Sequence, residues 1–207
     1  MGKHIQSIDN KIRNRIYGHG RGWAFTPAHF SDLGSRDAVA SALRRYRQSG
    51  VIRQLARGLY DYPGTDPELG ILAPSPDALA RALAGRDAVR LQPSGAYAAN
   101  LLGLSTQMPM KIVYLTDGRS HTVEIGKKQI VLKRTTPRNM ATAGRISGLV
   151  IQALRHLGRP HVDEEIIARL DRRLDVDDRR QLLKDVRFAP AWIADIMRLL
   201  GNKGETE

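Results

Sequence analysis

A basic helix followed directly by a basic hairpin constrains the fold of this chain more than any other feature. Residues 35–49 read SRDAVASALRRYRQS, and four apolar residues recur in this run at helical spacing. They share one face of the predicted helix and are Val39, Ala42, Leu43 and Tyr46. Ser35 lies at the N-cap position, and Gly50 is placed to end the helix. Residues 51–62, VIRQLARGLYDY, predict two short strands around a basic turn at 56–58.

Two further helices are predicted before the basic helix. The first is amphipathic because four isoleucines recur at spacings of three and four, namely Ile5, Ile8, Ile12 and Ile16. The second is short and begins with Thr26 as the N-cap and Pro27 in the first helical position. Gly34 supplies the turn into the basic helix. Three helices and a hairpin within residues 1–63 predict a winged helix-turn-helix domain.

A second domain is predicted over residues 68–204. The turn-rich segment 62–67 separates it from the first domain. Its middle part, at about 111–134, is predicted as an antiparallel meander of three strands. These strands are 111–116, 121–125 and 129–134, with turns at Asp117-Gly118 and Gly126-Lys127. Helices are predicted from about 145 to 200, where apolar residues recur at helical spacing. The predicted fold class is α+β, with a winged helix, a small antiparallel sheet and a C-terminal helical region.

The chain is strongly basic, and its excess charge is uneven. The formal net charge is +12 at pH 7, and the isoelectric point is about 10.4. Residues 1–62 hold 11 Lys and Arg against 4 Asp and Glu, residues 63–145 hold 11 against 6, and residues 146–207 hold 11 against 11. This balance indicates a polyanionic partner, either nucleic acid or an acidic protein surface.

Several classes of protein are excluded by what the sequence lacks. The absence of cysteine excludes disulfides and thiolate metal sites. The sequence has no run of about 18 apolar residues, and its N-terminal residues lack the pattern of a secretory signal. We therefore expect a soluble cytoplasmic protein without membrane contact.

The basic helix and the hairpin supply the candidate DNA contacts. Residues near the start of a recognition helix reach base edges, which here indicates Ser35, Arg36 and Ser41. Arginines later in the helix and at the hairpin turn are placed to contact phosphates. The predicted DNA-binding residues are Thr26, Ser35, Arg36, Ser41, Arg44, Arg45, Arg47, Arg53 and Arg57. The alternative interpretation is a solvated helix face that is basic without binding DNA.

A second basic cluster lies in the predicted meander. Its members are Lys127, Lys128, Lys133 and Arg134. One interpretation is a sheet edge that lysines keep soluble. The other is a docking face for an acidic partner, or further contacts to phosphate.

The sequence offers no assembled catalytic or metal site. The Gly-rich loop at 18–22 lacks the lysine and hydroxyl pair of a phosphate-binding loop. His121 and Glu124 are three residues apart in one predicted strand and would face opposite sides, while Asp117 lies in a turn. The acidic residues 163–165 lie at a helix start, where they suit the helix dipole. We therefore predict no enzymatic activity, no cofactor and no metal.

Local motifs in order along the chain resemble the AbiEi-type antitoxins of type IV toxin–antitoxin systems. The hairpin ends in Arg57-Gly58-Leu59-Tyr60, followed by Tyr62-Pro63. A helix of small residues follows, SGAYAANLLGL at 94–104, and then a strand ending in Tyr114-Leu115-Thr116 with Gly118 after it. The similarity covers roughly residues 5–157. The short region after the meander, about 60 residues, departs from longer relatives.

The resemblance implies a function in two parts. Members of that family bind inverted repeats in their own promoter, and they counteract a nucleotidyltransferase-type toxin encoded beside them. It implies that the N-terminal module contacts double-stranded DNA and that the C-terminal part carries the antitoxin activity. The sequence thus predicts a DNA-binding repressor that acts as an antitoxin. The alternative is a non-enzymatic module that uses the basic surface to bind an acidic protein without DNA.

Overall fold

The computed structural model describes residues 7–85 and 89–203, and within them the chain forms two compact α+β units. The first unit holds the described residues up to 85 together with Val123–Ile125. The second holds residues 89–122 and 126–203. Ile5, which was predicted to begin the first helix, and the end of the predicted second domain at 204 lie outside the described residues.

The helices predicted for the N-terminal region are confirmed. Helix α1 (Ile8–His19) buries Ile12 and Ile16, and a short 3₁₀ helix follows at Pro27–Phe30. Helix α2 (Arg36–Gln48) begins at Ser35, whose hydroxyl accepts a hydrogen bond from the N–H of Ala38. The segment Pro27–Phe30 adopts the tighter helix, which is common in single turns of this length.

Three short strands close the core of the first unit. They are β1 (Ala24–Phe25), β2 (Arg53–Ala56) and β3 (Leu59–Asp61). All pairs are antiparallel in the order β1-β3-β2, and β2 and β3 form the predicted hairpin. Gly58 turns the hairpin with a φ of 73°, a left-handed conformation that favours glycine. The predicted elements are present in the predicted order, and their assignment to a winged helix-turn-helix stays a prediction.

The first unit continues beyond the predicted boundary near residue 63. Strands β4 (Thr65–Asp66) and β5 (Gly70–Ile71) form a two-stranded hairpin. Helix α3 (Pro76–Ala84) then begins at Ser75, whose hydroxyl accepts from the N–H of Ala78. The core of this unit is apolar and aromatic, with Phe25 and Phe30 packed edge to face.

A four-stranded sheet, which belongs to the second unit except for Val123–Ile125, differs from the predicted meander. Its strands are β6 (Leu91–Ser94), β7 (Lys111–Thr116), β8 (His121–Ile125) and β9 (Lys128–Arg134), in the order β6-β7-β9-β8. The three predicted strands are confirmed, but the antiparallel meander is wrong because β7 and β9 pair in parallel.

Asp117 supplies a physical reason for the different connection. Its carboxylate accepts hydrogen bonds from the backbone N–H and the Nε of Arg90, at 2.9 and 2.8 Å. The same side-chain bond holds the pKa of Asp117 below its ordinary value. Asp117 therefore bonds the residue that precedes β6 and does not form the tip of a two-residue hairpin, and β7 and β8 are not neighbours in the sheet.

Helices surround the core of the second unit. They are α4 (Gly95–Leu101), α5 (Pro137–Met140), α6 (Ile146–Leu157), α7 (Glu164–Asp171), α8 (Val176–Asp185) and α9 (Ala191–Asn202), with 3₁₀ turns at Arg159–His161 and Val186–Phe188. The central helix α6 is buried on most sides against α4, α8 and α9. Within residues 7–85 and 89–203, every helix is too short or too polar to span a lipid bilayer.

Candidate nucleic-acid interface

Helix α2 presents a basic face on the side opposite its buried stripe. The stripe places Val39, Ala42, Leu43 and Tyr46 in the core. Arg36, Arg44 and Arg47 are exposed, and Ser41 is half-buried among them. Each residue turns the helix by about 100°, so these positions follow from the apolar spacing alone. The part of the chain that the structure describes offers no hydrogen-bond or ion-pair partner to Arg36 or Arg44.

Arg45 lies on a different flank of α2, although it follows Arg44 directly. Its Nη2 atom is 2.5 Å from Oδ1 of Asp9 on α1. The hydroxyl of Tyr46 donates to the other carboxylate oxygen of Asp9 at 2.5 Å and to its backbone carbonyl at 3.0 Å. We call these three residues the Asp9 latch. Sequence reasoning grouped Arg45 with the phosphate contacts, but in the structure its guanidinium joins α2 to α1.

The latch shifts the titration of two of its members. The hydrogen bond from Tyr46, followed by that from Arg45, lowers the pKa of the Asp9 carboxyl. Burial, followed by the hydrogen bond to Asp9, raises the pKa of Tyr46 to about 12. Both shifts favour the charge state in which the latch is formed, because Asp9 stays ionised and Tyr46 stays protonated at neutral pH.

A groove of about 720 Å³ lies between the end of α2 and the hairpin of the first unit. Its lining residues are Arg47, Gly50, Ile52, Arg53, Gln54, Ala56 and Arg57. Nη1 of Arg47 donates to Oε1 of Gln54 at 2.5 Å, which connects the helix to strand β2 through a neutral acceptor. Arg57 is exposed at the tip of the hairpin. Sequence reasoning missed Gln54, since a lone glutamine in a strand carries no pattern of its own.

Arg53 has a different environment from the other arginines of the groove. Its Nε and Nη2 atoms donate to the two carboxylate oxygens of Asp61, at 3.1 and 2.5 Å. Nη2 also donates to the carbonyl of Leu72 at 2.7 Å. Asp61 is fully buried, so Arg53 supplies the charge that this carboxylate needs in the core. The charge of Arg53 is thus neutralised within the first unit, and we assign Arg53 a structural role.

Thr26 and Ser35 mainly shape the backbone. The backbone N–H of Thr26 donates to Nδ1 of His29, at 3.2 Å, while the N–H of His29 donates back to the carbonyl of Thr26. Ser35 uses its hydroxyl to cap α2. A small cleft separates the 3₁₀ helix from the start of α2, with Arg36 at its rim. These two predicted contact residues therefore position the surface that carries Arg36.

The second predicted basic cluster is divided by the structure. Its four side chains are exposed and lie on or next to β9. Lys128 and Lys133 are five residues apart along an extended strand, which separates the pair Lys127 and Lys128 from the pair Lys133 and Arg134 by about 17 Å. Strand β9 lies between β7 and β8, so the interpretation of these residues as a protective sheet edge is wrong. They form two small basic ends of one strand.

Comparison with known protein families assigns the chain to one family. The profile of a family described as "Family of unknown function (DUF6088)" matches residues 11–182. The chain belongs to the DUF6088 family. Among curated proteins, no relative matches it. In residues 7–85 and 89–203, no three His, Cys, Asp or Glu side chains are grouped as a metal site would require. The candidate functional surface of this DUF6088 member consists of the basic face of α2 and the adjoining groove.

Proposed function

We propose that the first unit is a winged helix-turn-helix that binds double-stranded DNA, and that the protein represses its own promoter in the cytoplasm. The observation that carries the proposal is the exposure of Arg36, Arg44 and Arg57 without an acidic partner in the described residues. A concentration of positive charge on one surface attracts a polyanionic partner and speeds its association. A helix and an adjoining hairpin tip that are both basic fit the groove and the backbone of one duplex.

Each side chain has a distinct role in this arrangement. The N-terminal half of α2 enters the major groove, where Arg36 and Ser41 face base edges. Arg44 and Arg47 contact phosphates along the groove, and Arg57 reaches the adjacent backbone. The Asp9 latch holds α2 against α1 and so sets the angle at which the helix meets DNA. Phosphate contacts supply affinity and register, while Arg36 and Ser41 supply the discrimination between sequences.

Fluorescence anisotropy with the DNA upstream of the gene, measured over a range of salt concentrations, tests this placement. We expect the double variant Arg44→Ala/Arg47→Ala to bind upstream and random DNA more weakly by similar factors. Its slope of log affinity against log salt becomes shallower by about two, because each lost phosphate contact releases about one counterion fewer. Arg36→Ala is expected to reduce the preference for upstream over random DNA.

The matched control is the double variant Arg180→Ala/Arg198→Ala. Both residues are exposed arginines of the second unit in surface ion pairs with a neighbouring aspartate. This control removes the same net charge and is expected to leave the salt slope close to that of the wild type. An equal fall in slope for both double variants, or no fall for Arg44→Ala/Arg47→Ala, rejects the proposed interface.

The antitoxin part of the proposal is supported by the resemblance to AbiEi-type antitoxins. We propose that the protein counteracts a nucleotidyltransferase-type toxin encoded beside it. Co-expression of the two neighbouring genes tests this, with growth restored by the wild-type protein as the expected result. Binding of an acidic protein with no affinity for the upstream DNA would favour the protein-binding alternative. Persistent growth arrest rejects the antitoxin role without bearing on DNA binding.

A further inference from the structure

Three arginines converge on one small cavity in the second unit, far along the chain from the candidate DNA-binding residues. The cavity has a volume of about 290 Å³ and lies where the end of α4 meets the end of α7. We call it the arginine pocket, and its lining residues are Asn100, Leu102, Gly103, Arg169, Arg172 and Arg173. The net charge of the C-terminal third is zero, so the charge count of that third as a whole does not reveal this concentration.

One wall of the pocket is the C-terminal end of α4. The N–H of Gly103 donates to the carbonyl of Asn100, and the N–H of Leu104 donates to the carbonyl of Ala99, both at 2.9 Å. These two bonds form a Schellman motif, for which Gly103 takes a φ of 71°. The side-chain amide of Asn100 donates to the carbonyls of Ser105 and Gln107. These bonds anchor the loop that follows the helix to the end of α4.

Another wall comes from the end of α7. Arg169 lies in its last turn, Arg172 is its C-cap residue, and Arg173 follows in the turn after the helix, three and four residues beyond Arg169. Like charges at this spacing repel one another. Glu165 offsets one of them, since its carboxylate lies 2.5 Å from Nη2 of Arg169.

Helix capping accounts for only one of the three guanidinium groups. Nη2 of Arg173 donates to the carbonyl of Leu101 at 3.2 Å, which satisfies a free acceptor at the end of α4. The three preceding carbonyls of α4 already accept from backbone N–H groups. Arg172 is exposed and has no hydrogen-bond or ion-pair partner in the described part of the chain. The pocket therefore keeps positive charge that the fold itself does not use.

The nearest acidic residue along the chain is committed elsewhere. Asp171 accepts from Nη1 of Arg179 at 2.7 Å and from Nζ of Lys203 at 3.3 Å. The hydrogen bond from Arg179 is the main cause of a lowered pKa at Asp171, so this carboxylate is ionised and paired. It does not neutralise Arg172.

We propose that the arginine pocket binds a phosphate group. Guanidinium groups match phosphate oxygens with two parallel hydrogen bonds, and several of them around one concave site favour an oxyanion over a single surface carboxylate. The volume lies at the lower limit of small-molecule sites, which suits a phosphate or a pyrophosphate more than a whole nucleotide. The phosphate belongs either to a small phosphorylated ligand or to a nucleic-acid backbone. This proposal does not depend on DNA binding by the first unit.

Isothermal titration calorimetry of the full chain with inorganic pyrophosphate tests the pocket. We expect wild-type binding to one site, weakened at least about tenfold by Arg172→Ala because one charge-assisted contact is lost. Arg172→Lys keeps the charge but lacks the paired donors, so its affinity is expected to lie between the two. The matched control is Arg180→Ala, an exposed arginine outside the pocket, which is expected to bind as the wild type does.

Two results overturn the proposal, and a competition identifies the source of the phosphate. Equal binding by wild type and Arg172→Ala, or an equal loss in Arg180→Ala, shows that pyrophosphate does not use the pocket. Thermal unfolding of Arg172→Ala at the wild-type temperature verifies that a loss of binding is not a loss of folding.

A short single-stranded oligonucleotide is then added to Arg44→Ala/Arg47→Ala, with and without Arg172→Ala. Oligonucleotide binding that competes with pyrophosphate and is weakened by Arg172→Ala assigns the site to a nucleic-acid backbone. Oligonucleotide binding that Arg172→Ala leaves unchanged assigns the site to a small ligand.

Discussion

Adjacent residues with the same side chain have different roles in this protein. Arg44 faces outward and has no partner among the residues that the structure describes, whereas Arg45 pairs with Asp9 on α1. The helical repeat of α2 separates the two directions by about 100°, and this angle is predictable from the apolar stripe. The partner of Arg45 is not predictable, because Asp9 lies in another helix and no local pattern brings the two together. Sequence reasoning therefore identifies which arginines leave the core but not which of them remain free.

The Asp9 latch predicts a pH-dependent contribution to stability. The pKa of Asp9 is lower in the folded protein than its ordinary value of 3.8, so the latch stabilises above that value and is lost as the pH falls through the folded pKa. Asp9→Asn is expected to lower the free energy of unfolding by about 1 kcal/mol at pH 7, a figure reduced for the partial exposure of the pair. Urea unfolding at pH 7 and near pH 3 should show the difference from wild type shrinking in acid. Asp195→Asn, in an exposed pair of α9, should change stability little at either pH.

Substitution by alanine is expected to have opposite effects on stability at two helical glycines. A Cβ at Gly148 in α6 would lie 2.3 Å from the carbonyl oxygen of Thr142 and 2.4 Å from Oε1 of Gln92. A Cβ at Gly18 in α1 would meet nothing within 4 Å. We expect Gly148→Ala to destabilise the protein by about 1–3 kcal/mol through overpacking, and Gly18→Ala to stabilise it by up to about 1 kcal/mol through helix propensity. Chemical denaturation measures both, and stabilisation by Gly148→Ala would contradict the close packing of α6.

At the scale of whole elements, the sequence predicts strands better than it predicts their partners. The bounds 111–116 and 121–125 match β7 and β8, because alternating apolar residues between turn residues are a local signal. The parallel pairing of β7 with β9 is not local. Alternation places side chains on faces but is the same for parallel and antiparallel neighbours. Asp117-Gly118 has the composition of a hairpin turn, and only the distant Arg90 reveals that Asp117 is used differently.

In the hairpin β2–β3, we expect Arg53 to contribute to stability and Arg57 to contribute to DNA binding. Arg53→Met leaves the buried carboxylate of Asp61 without its counter-charge, so we expect a loss of about 2–4 kcal/mol in the free energy of unfolding. Arg57→Met, at the exposed tip of the same hairpin, is expected to change stability by less than about 0.5 kcal/mol and to weaken DNA binding. Denaturant unfolding and anisotropy on the two variants check this. Loss of DNA affinity in a fully stable Arg53→Met protein would place Arg53 in the interface after all.

At the scale of the whole molecule, net charge is informative only together with its distribution. The excess of positive charge lies in residues 1–145, and the sequence alone therefore directs attention to the first unit. The neutral C-terminal third nevertheless brings three arginines to one cavity. Glu165 pairs with one of them, Asp171 pairs with Arg179 outside the cavity, and Asp163 and Asp175 cap helices. A balanced count can hide a charged site, because folding selects which charges meet.

The last prediction concerns how many chains bind one operator. In the proposed complex with DNA, one α2 helix would read one half-site, so a repressor acting on inverted repeats would require two copies of the first unit, one per repeat. We expect DNA with both repeats to bind two chains and DNA with one repeat to bind one, as measured by sedimentation of labelled DNA with the protein. Inserting about 5 base pairs between the repeats turns the second half-site to the opposite face of the duplex, about half of a helical turn away. If the two chains contact each other on DNA, this insertion abolishes cooperativity while the affinity for each single repeat stays the same. A single chain bound to the full operator at saturation would contradict this arrangement, even if the affinity depended on Arg44 and Arg47.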